Sequence, residues 1–384
     1  MNFKLDSEQQ LLQDSVRRFV DKECAFETRA AQLESGPSCE PKHWRTFADN
    51  GWLAAALPEA VGGLGGSVID TALIAQAFGR ALVLDPFLGC AVLGAQTLVA
   101  AATPAQLDHY VPQLADGSLR LALAYSEAQS RGFPEPVGTR ATRTADGYRL
   151  RGTKTLAIGA AGANAFIVSA LTGDDEPLTL FLVGASSAGV TCRDLPLHDG
   201  SRAAEIVLDN VLVREDAVLG AEGHGLPALR HGLAHGTAAL CAELVGGMEK
   251  AIELSADYLK MRKQFGVPIG SFQALQHRMA DMAAEMEIAR SMLYALFASL
   301  ENDDARTRER AVSQAKSLIG RAAKFVCAQA IQLHGGIGMT EEYAVGHYYK
   351  RAVVADVLFG SSDRHDAACA AQLQQDLLQG DTTA

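Results

Sequence analysis

Leu275, Met279, Met282, Met286, Ala289, Leu293 and Leu296 recur at alternating steps of four and three. That spacing puts all seven on one stripe of an α-helix and predicts the seam of a helical bundle. Leu240, Leu244, Met248 and Ile252 predict the helix before it, and Val312, Ala315, Ile319, Ala322 and Val326 the helix after it. Near the start of the chain Leu11, Leu12, Val16, Phe19 and Val20 keep helical spacing, and Asp6 with Gln9 has the form of a capping box. Helical patterns continue to about Leu119. They break at Pro58-Glu59-Ala60-Val61-Gly62-Gly63-Leu64-Gly65-Gly66, where glycine and proline rule out a regular element and allow tight turns. The most apolar run, Phe87 to Ala102, is interrupted by Gln96 and Thr97. It falls short of the roughly 18 to 20 residues that span a bilayer, and it predicts a buried helix.

From Leu121 the period changes. Leu121 to Tyr125, Tyr148 to Leu150, Phe166 to Ser169, Leu178 to Val183 and Glu205 to Val213 are short β-prone runs separated by turn residues, with Asp146-Gly147 marking a hairpin between two of them. The expected architecture is an α+β multidomain chain. Residues 1–120 form an N-terminal all-α domain, 121–222 a middle antiparallel β domain, and 223–384 a C-terminal four-helix bundle.

The 384 residues are 48% apolar, enough for a sizeable core. With 34 basic and 45 acidic side chains the net charge is -11. The overall field therefore opposes a nucleic-acid or anionic-membrane partner, and neither is expected. The seven cysteines are odd in number and show no C-x-x-C spacing, which reads as reduced thiols in a reducing compartment. The first residues carry no apolar export segment, so a cytoplasmic location is expected. His334, His347 and His365 are candidate bases or metal ligands, but they belong to no Cys/His ligand set and no metal is expected.

Candidate chemistry concentrates late in the chain. Arg262-Lys263-Gln264-Phe265-Gly266 ends one helical pattern, Gln273 and Gln276 begin the next, and Gln332-Leu333-His334-Gly335-Gly336-Ile337-Gly338 closes a third. Taken singly, Arg262-Lys263 is solvated charge at a helix end, and Gly335-Gly336 is a C-cap followed by a turn.

Together, the P-E-x-x-G-G-x-G-G turn, the R-K-x-F-G run and Q-L-H-G-G-x-G-M resemble the acyl-CoA dehydrogenase family over essentially the whole chain. Residues 258–270 and 340–348 are most similar to the small subunit of two-component dehydrogenases, such as those acting on pimeloyl-CoA. The resemblance implies FAD as cofactor, an acyl-CoA substrate and an electron-transfer flavoprotein as acceptor. It also implies a flavin lying across two chains, its ring held by one and its adenosine diphosphate half by the other. The diphosphate-binding positions of the family fall on Arg262, Phe265, Gln273, Gln332, Gly335 and Gly336. Arg262 offers a planar fork to a pyrophosphate, and the glycines let backbone N–H groups approach it. Ser126 and Ser361 match further positions near the flavin.

The half that holds the reactive ring departs from the family. Leu156-Ala157-Ile158 stands where the family has Trp-Ile-Thr. Phe359 falls on the usual catalytic glutamate, and Gly236 on the alternative base position. The asymmetry suggests a subunit that supports a partner's flavin and lacks its own base. Two alternatives stay open: a self-sufficient homo-oligomer with a displaced base, for which Asp363 and His365 are the candidates, and a non-catalytic, nucleic-acid-associated member of the fold. Residues 127–138 replace the family's glycine-rich flavin loop with bulkier side chains.

Overall fold

The computed structural model describes residues 4–35, 39–173, 177–302 and 304–380. In chain order its helices are α1 (Ser7–Glu23), α2 (Phe26–Ser35), α3 (Pro41–Asp49), α4 (Val68–Ala81), α5 (Ala95–Ala101), α6 (Pro104–Ala115), α7 (Gly225–Met261), α8 (Gln273–Leu300), α9 (Ala305–His334), α10 (Val345–Val357) and α11 (Ser362–Gly380). Seven strands lie between α6 and α7: β1 (Leu121–Ala124), β2 (Arg140–Thr144), β3 (Gly147–Ile158), β4 (Ala165–Leu171), β5 (Leu178–Gly184), β6 (Val190–Pro196) and β7 (Arg202–Val213). The chain divides into two compact units. The first comprises the chain up to Arg29, Ala72–Val83 and Leu240 onward; the second comprises Ala30–Thr71 and Leu84–Ala239.

In the first unit α1 starts on the expected capping box, with Asp6 Oδ1 accepting from the Gln9 N–H at 2.8 Å. Val16, Phe19 and Val20 are buried, whereas Leu11 turns out to solvent. The α8 stripe buries Met282, Met286, Ala289, Leu293 and Leu296. Each of the Met and Leu side chains removed from water contributes about 1.5–3 kcal/mol. Helix α9 packs against α8, α10 and α11. Helices α4 and α7 approach backbone to backbone, because Gly79 faces the Glu243 carbonyl and Gly246 faces that of Gln76, where a Cβ would overlap. Arg80 then reaches Glu249 at 3.1 Å and Glu253 at 2.7 Å, pinning the crossing.

In the second unit the Pro58–Gly66 stretch folds back on its own approach. The N–H groups of Gly63, Leu64, Gly65 and Gly66 bond to the carbonyls of Pro58, Ala54, Leu57 and Ala55. A Cβ on Gly63 or Gly66 would sit inside that backbone. The apolar run after Pro86 is buried as expected, but its first part, Phe87–Gly94, is π-helical before α5 begins.

The seven strands form one sheet in the order β1-β4-β2-β3-β7-β6, with β5 also paired to β4. Two strands escape the apolar pattern because their side chains face solvent: β2 is nearly all polar, and β6 is an exposed edge. The expected antiparallel arrangement holds for β2–β3, β3–β7, β6–β7 and β4–β5, while β1 pairs β4 in parallel. The β2–β3 hairpin turns on Ala145-Asp146, and Gly147 opens β3 at φ +130. Tyr148, Phe166, Phe181, Ile206 and Val211 centre the core of the sheet.

Candidate functional site

Three helix ends meet at one end of the first unit. Tyr258, in the last turns of α7, stacks on His334, the last residue of α9, with ring centroids 4.5 Å apart. Arg278 of α8 bonds to Gln329 of α9, and the Gln276 amide donates to the Gly270 carbonyl at 2.8 Å. These contacts bring Arg262, Phe265, Gln273, Gln332, Gly335 and Gly336 to the same end of the helices.

Between α7 and α8, Lys263-Gln264 pairs with Val267-Pro268 in a two-residue hairpin. Its tip residues, Phe265 and Gly266, hold φ of +52 and +82, as a type I′ turn requires. Phenylalanine is a poor choice for left-handed backbone, and this one is 92% exposed, its one ring contact among the described residues being with the edge of Phe272 at 6.1 Å. Strain of about 1–3 kcal/mol at an unburied aromatic serves no core. The Arg262 guanidinium beside it makes no ion pair or hydrogen bond among the described residues. No side chain caps the start of α8 at Gln273; the Leu275 and Gln276 N–H groups turn back to the Phe272 carbonyl at 3.0 and 3.2 Å, leaving those of Gln273 and Ala274 without an acceptor among the described residues. Gly335 (φ +64) and Gly336 face open space, with nothing within 4 Å of a Cβ on either.

His334 supports this end from within. Its Nδ1 lies 2.8 Å from the Ala330 carbonyl, and its ring lies between those of Tyr258 and Tyr343. Burial lowers its pKa, so it stays a neutral packing residue.

The positions expected to carry ring chemistry have a different character. Phe359, between α10 and α11, is 7% exposed and holds φ +60. Its carbonyl accepts from His365 Nε2 at 2.9 Å, and the next carbonyl, of Gly360, accepts from the Lys316 ammonium at 3.0 Å. Lys316 also donates to the Asp356 carbonyl near the end of α10, where the helix dipole favours a cation. Leu156 in β3 likewise holds φ +51, at an irregularity in the β3–β7 pairing. Left-handed backbone at a half-buried leucine and a buried phenylalanine marks positions fixed by their surroundings. Gly236 on α7 has no room for a side chain, since a Cβ there would meet Leu93 at 2.3 Å.

The displaced-base candidates are occupied. Asp363 is exposed and paired with Arg321 at 3.1 Å. Burial brings His365 down to about 4, and its two nitrogens serve Ser313 and Phe359. Ser361 accepts from the Arg364 N–H, capping α11.

In the second unit the bulky 127–138 segment folds around one carboxylate. Glu127 accepts from the N–H of Gly138 and of Thr139, from the Thr139 hydroxyl at 2.7 Å, from Gln129 at 2.6 Å and from Lys154 Nζ at 2.7 Å. Lys154 is fully buried and also donates to the Tyr125 carbonyl and the Ser169 hydroxyl. Burial depresses the ammonium to about 8 against the pull of Glu127. For Glu127 burial pushes upward, but Lys154 and Thr139 outweigh it and hold the carboxyl below its usual range. The pair is ionic at neutral pH. Ser126, expected to face a flavin, accepts from the Gly132 N–H at 3.2 Å.

Comparison with known proteins bears on what these positions mean. Residues 6–118 match the acyl-CoA dehydrogenase N-terminal domain and residues 223–374 the acyl-CoA dehydrogenase C-terminal domain. The chain is 31% identical over 382 residues to probable acyl-CoA dehydrogenase YngJ of Bacillus subtilis (strain 168), covering 97% of this chain and 100% of that protein. It belongs to the acyl-CoA dehydrogenase family.

Among solved structures, the steroid acyl-CoA dehydrogenase Tcur3481–Tcur3483 is similar at 29% identity and a TM-score of 0.87, over 97% of this chain and 99% of that one. The ChsE4–ChsE5 complex from Mycobacterium tuberculosis is similar at 26% identity and a TM-score of 0.88, with the same coverage. Acyl-CoA dehydrogenases are FAD-dependent flavoproteins. The helix ends around Arg262 suit the diphosphate half of that cofactor, since they offer a free guanidinium, uncapped N–H groups and an open glycine pair.

One pair escaped the sequence reading. His231 and His235 stand one turn apart on α7 with ring centroids 4.4 Å apart, and their i, i+4 spacing was there to be read. Burial lowers His235 to about 3. No group of three or more His, Cys, Asp or Glu able to hold a metal occurs among the described residues, and none of their helices is long and apolar enough to cross a membrane.

Proposed function

We propose that this chain is a subunit of a flavin-dependent acyl-CoA dehydrogenase that oxidises the Cα–Cβ bond of an acyl-CoA thioester, with the catalytic base supplied by a partner chain. The flavin, when bound, supplies the hydride acceptor. Arg262, Gln332 and the N–H groups near Gly335 and Gly336 bind the diphosphate half of a cofactor whose ring the partner holds. Phe265 would add an exposed apolar face to the same half of the site.

The observation that carries this reading is the contrast between two strained phenylalanines. Phe265 stands exposed beside the unpartnered Arg262, ready to meet another molecule. Phe359 is buried on a turn fixed by Lys316 and His365, where the family's base would stand and where no proton can be taken. A positioned base typically contributes about 10²- to 10⁴-fold. Two of the similar solved structures carry the names of two proteins each, which supports a heteromeric assembly here. An electron-transfer flavoprotein is the proposed acceptor.

Co-expression of this chain with candidate partner dehydrogenase chains tests the reading. The expected result is a stable complex that retains FAD and oxidises acyl-CoA, with Arg262→Ala in this chain lowering flavin retention. A complex whose flavin content is indifferent to Arg262 would contradict the assignment.

A further inference from the structure

Arg29 is 4% exposed in the first turn of α2, and His347, 5% exposed, lies near the start of α10. The Arg29 Nη1 stands 3.1 Å from His347 Nδ1, and Arg29 Nε donates to the Leu82 carbonyl at 3.1 Å. A guanidinium only donates, so His347 Nδ1 must present its lone pair and carry no proton. The imidazole proton therefore sits on Nε2, which donates to the Glu341 carbonyl at 3.1 Å. Phe26 closes the side of the ring, edge-on at 5.0 Å.

We infer that Arg29 and His347 form an acid-sensitive latch, holding the first turn of α2 to the 341–347 segment at neutral pH and letting go when the imidazole takes a second proton. Protonation at Nδ1 would convert a buried hydrogen bond into two cations in contact, with the Arg29 hydrogens aimed at a new N–H. Two like charges brought together in a buried site are costly for a fold to hold.

The charged groups around the ring are Arg29 from α2, Lys350 from α10 and Glu341 from the turn before it. Burial is the largest influence lowering the His347 pKa; Arg29 and Lys350 act with it, while the Glu341 carbonyl and carboxylate oppose it. Glu341 Oε2 is 3.4 Å from Nε2 and is itself bridged to Lys350, so part of its attraction is already spent. The unfolded chain takes up this proton in the ordinary imidazole range near ~6.5, before the folded chain does. The latch is thus fully effective above that range and weakens as the pH falls through it.

The inference does not depend on the flavin reading. Hydrogen exchange of the full-length protein at pH 7.5 and pH 5.5, corrected for the intrinsic pH dependence of exchange, tests it. Peptides containing Phe26–Arg29 and Tyr343–His347 are expected to lose protection at the lower pH, by up to about tenfold, the most that one unit of imidazole titration allows. His347→Asn, which keeps an oxygen acceptor near the Nδ1 position, is expected to abolish that difference. Unchanged protection in the wild type overturns the latch whether or not the variant folds, and so does an equal loss in His347→Asn.

Discussion

The ring of Tyr258 stacks on the ring of His334, 4.5 Å away and 27° from parallel. One side chain lies in the last turn of α7 and the other ends α9, so a contact worth about 0.5–1.5 kcal/mol beyond its burial fixes where Arg262 stands relative to Gly335 and Gly336. Residues some seventy positions apart in sequence thereby share one surface, and the flavin assignment rests on that surface.

Arg262 has no partner of its own among the described residues, so its removal leaves the fold nearly untouched. Arg262→Ala is expected to shift unfolding free energy by less than about 0.5 kcal/mol, read from a denaturant titration, while flavin retention in the assembly falls at least tenfold. Arg262→Lys keeps the charge but not the planar fork, and its flavin retention is expected to lie between the two.

Gly336 separates packing from binding. A Cβ there meets nothing within 4 Å among the described residues, so Gly336→Val is expected to fold and melt within a few degrees of the wild type. A branched side chain would still hold a diphosphate away from the backbone N–H groups, and flavin retained per assembly is expected to drop severely. Equal retention in both proteins would remove the glycine pair from the site.

Glu127 and Lys154 report on the reshaped loop. Removing one member of a buried ion pair strands the other, at a cost of about 3–5 kcal/mol. Glu127→Ala is expected to lose that much stability in chemical denaturation and to expose residues 128–138 to limited proteolysis. The double change Glu127→Leu with Lys154→Met is expected to recover much of the loss, because no buried charge is left unpaired.

His365 predicts an acid limit. Its folded pKa is about 4 against an unfolded value near ~6.5, so the unfolded chain binds the proton first. The stability tied to a neutral His365 is complete above the unfolded value and declines as the pH falls toward 4, by at most about 3 kcal/mol. Denaturant titrations at pH 7 and pH 4.5 should show a smaller pH difference in His365→Asn than in the wild type; an identical difference would contradict the assignment.

Local and periodic features were legible in the sequence. Asp6 and Gln9 specify the start of α1 between themselves, and the Leu275–Leu296 stripe predicts α8, although Leu275 and Met279 in its first turns are only half-buried. Strands β2 and β6 were not legible, because Arg140–Thr144 and Val190–Pro196 turn polar side chains to solvent and leave no alternation to read. The parallel β1–β4 pairing is non-local, and no local signal encodes it. The left-handed backbone at Leu156, Phe265 and Phe359 was hidden because glycine or asparagine usually announces such positions, and these residues are neither. The Glu127 network was equally silent, since its partners Thr139, Lys154 and Ser169 are dispersed over three segments. The likeness to acyl-CoA dehydrogenases singled out Arg262 and Phe359 as candidates, and the structure adds what surrounds each of them.

The most direct test is turnover by the purified chain alone, assayed with a panel of acyl-CoA thioesters, added FAD and a ferricenium acceptor. No enoyl-CoA above background is expected until the partner chain is added, with flavin retained once both are present. Sustained oxidation of any acyl-CoA by the lone chain would contradict this expectation.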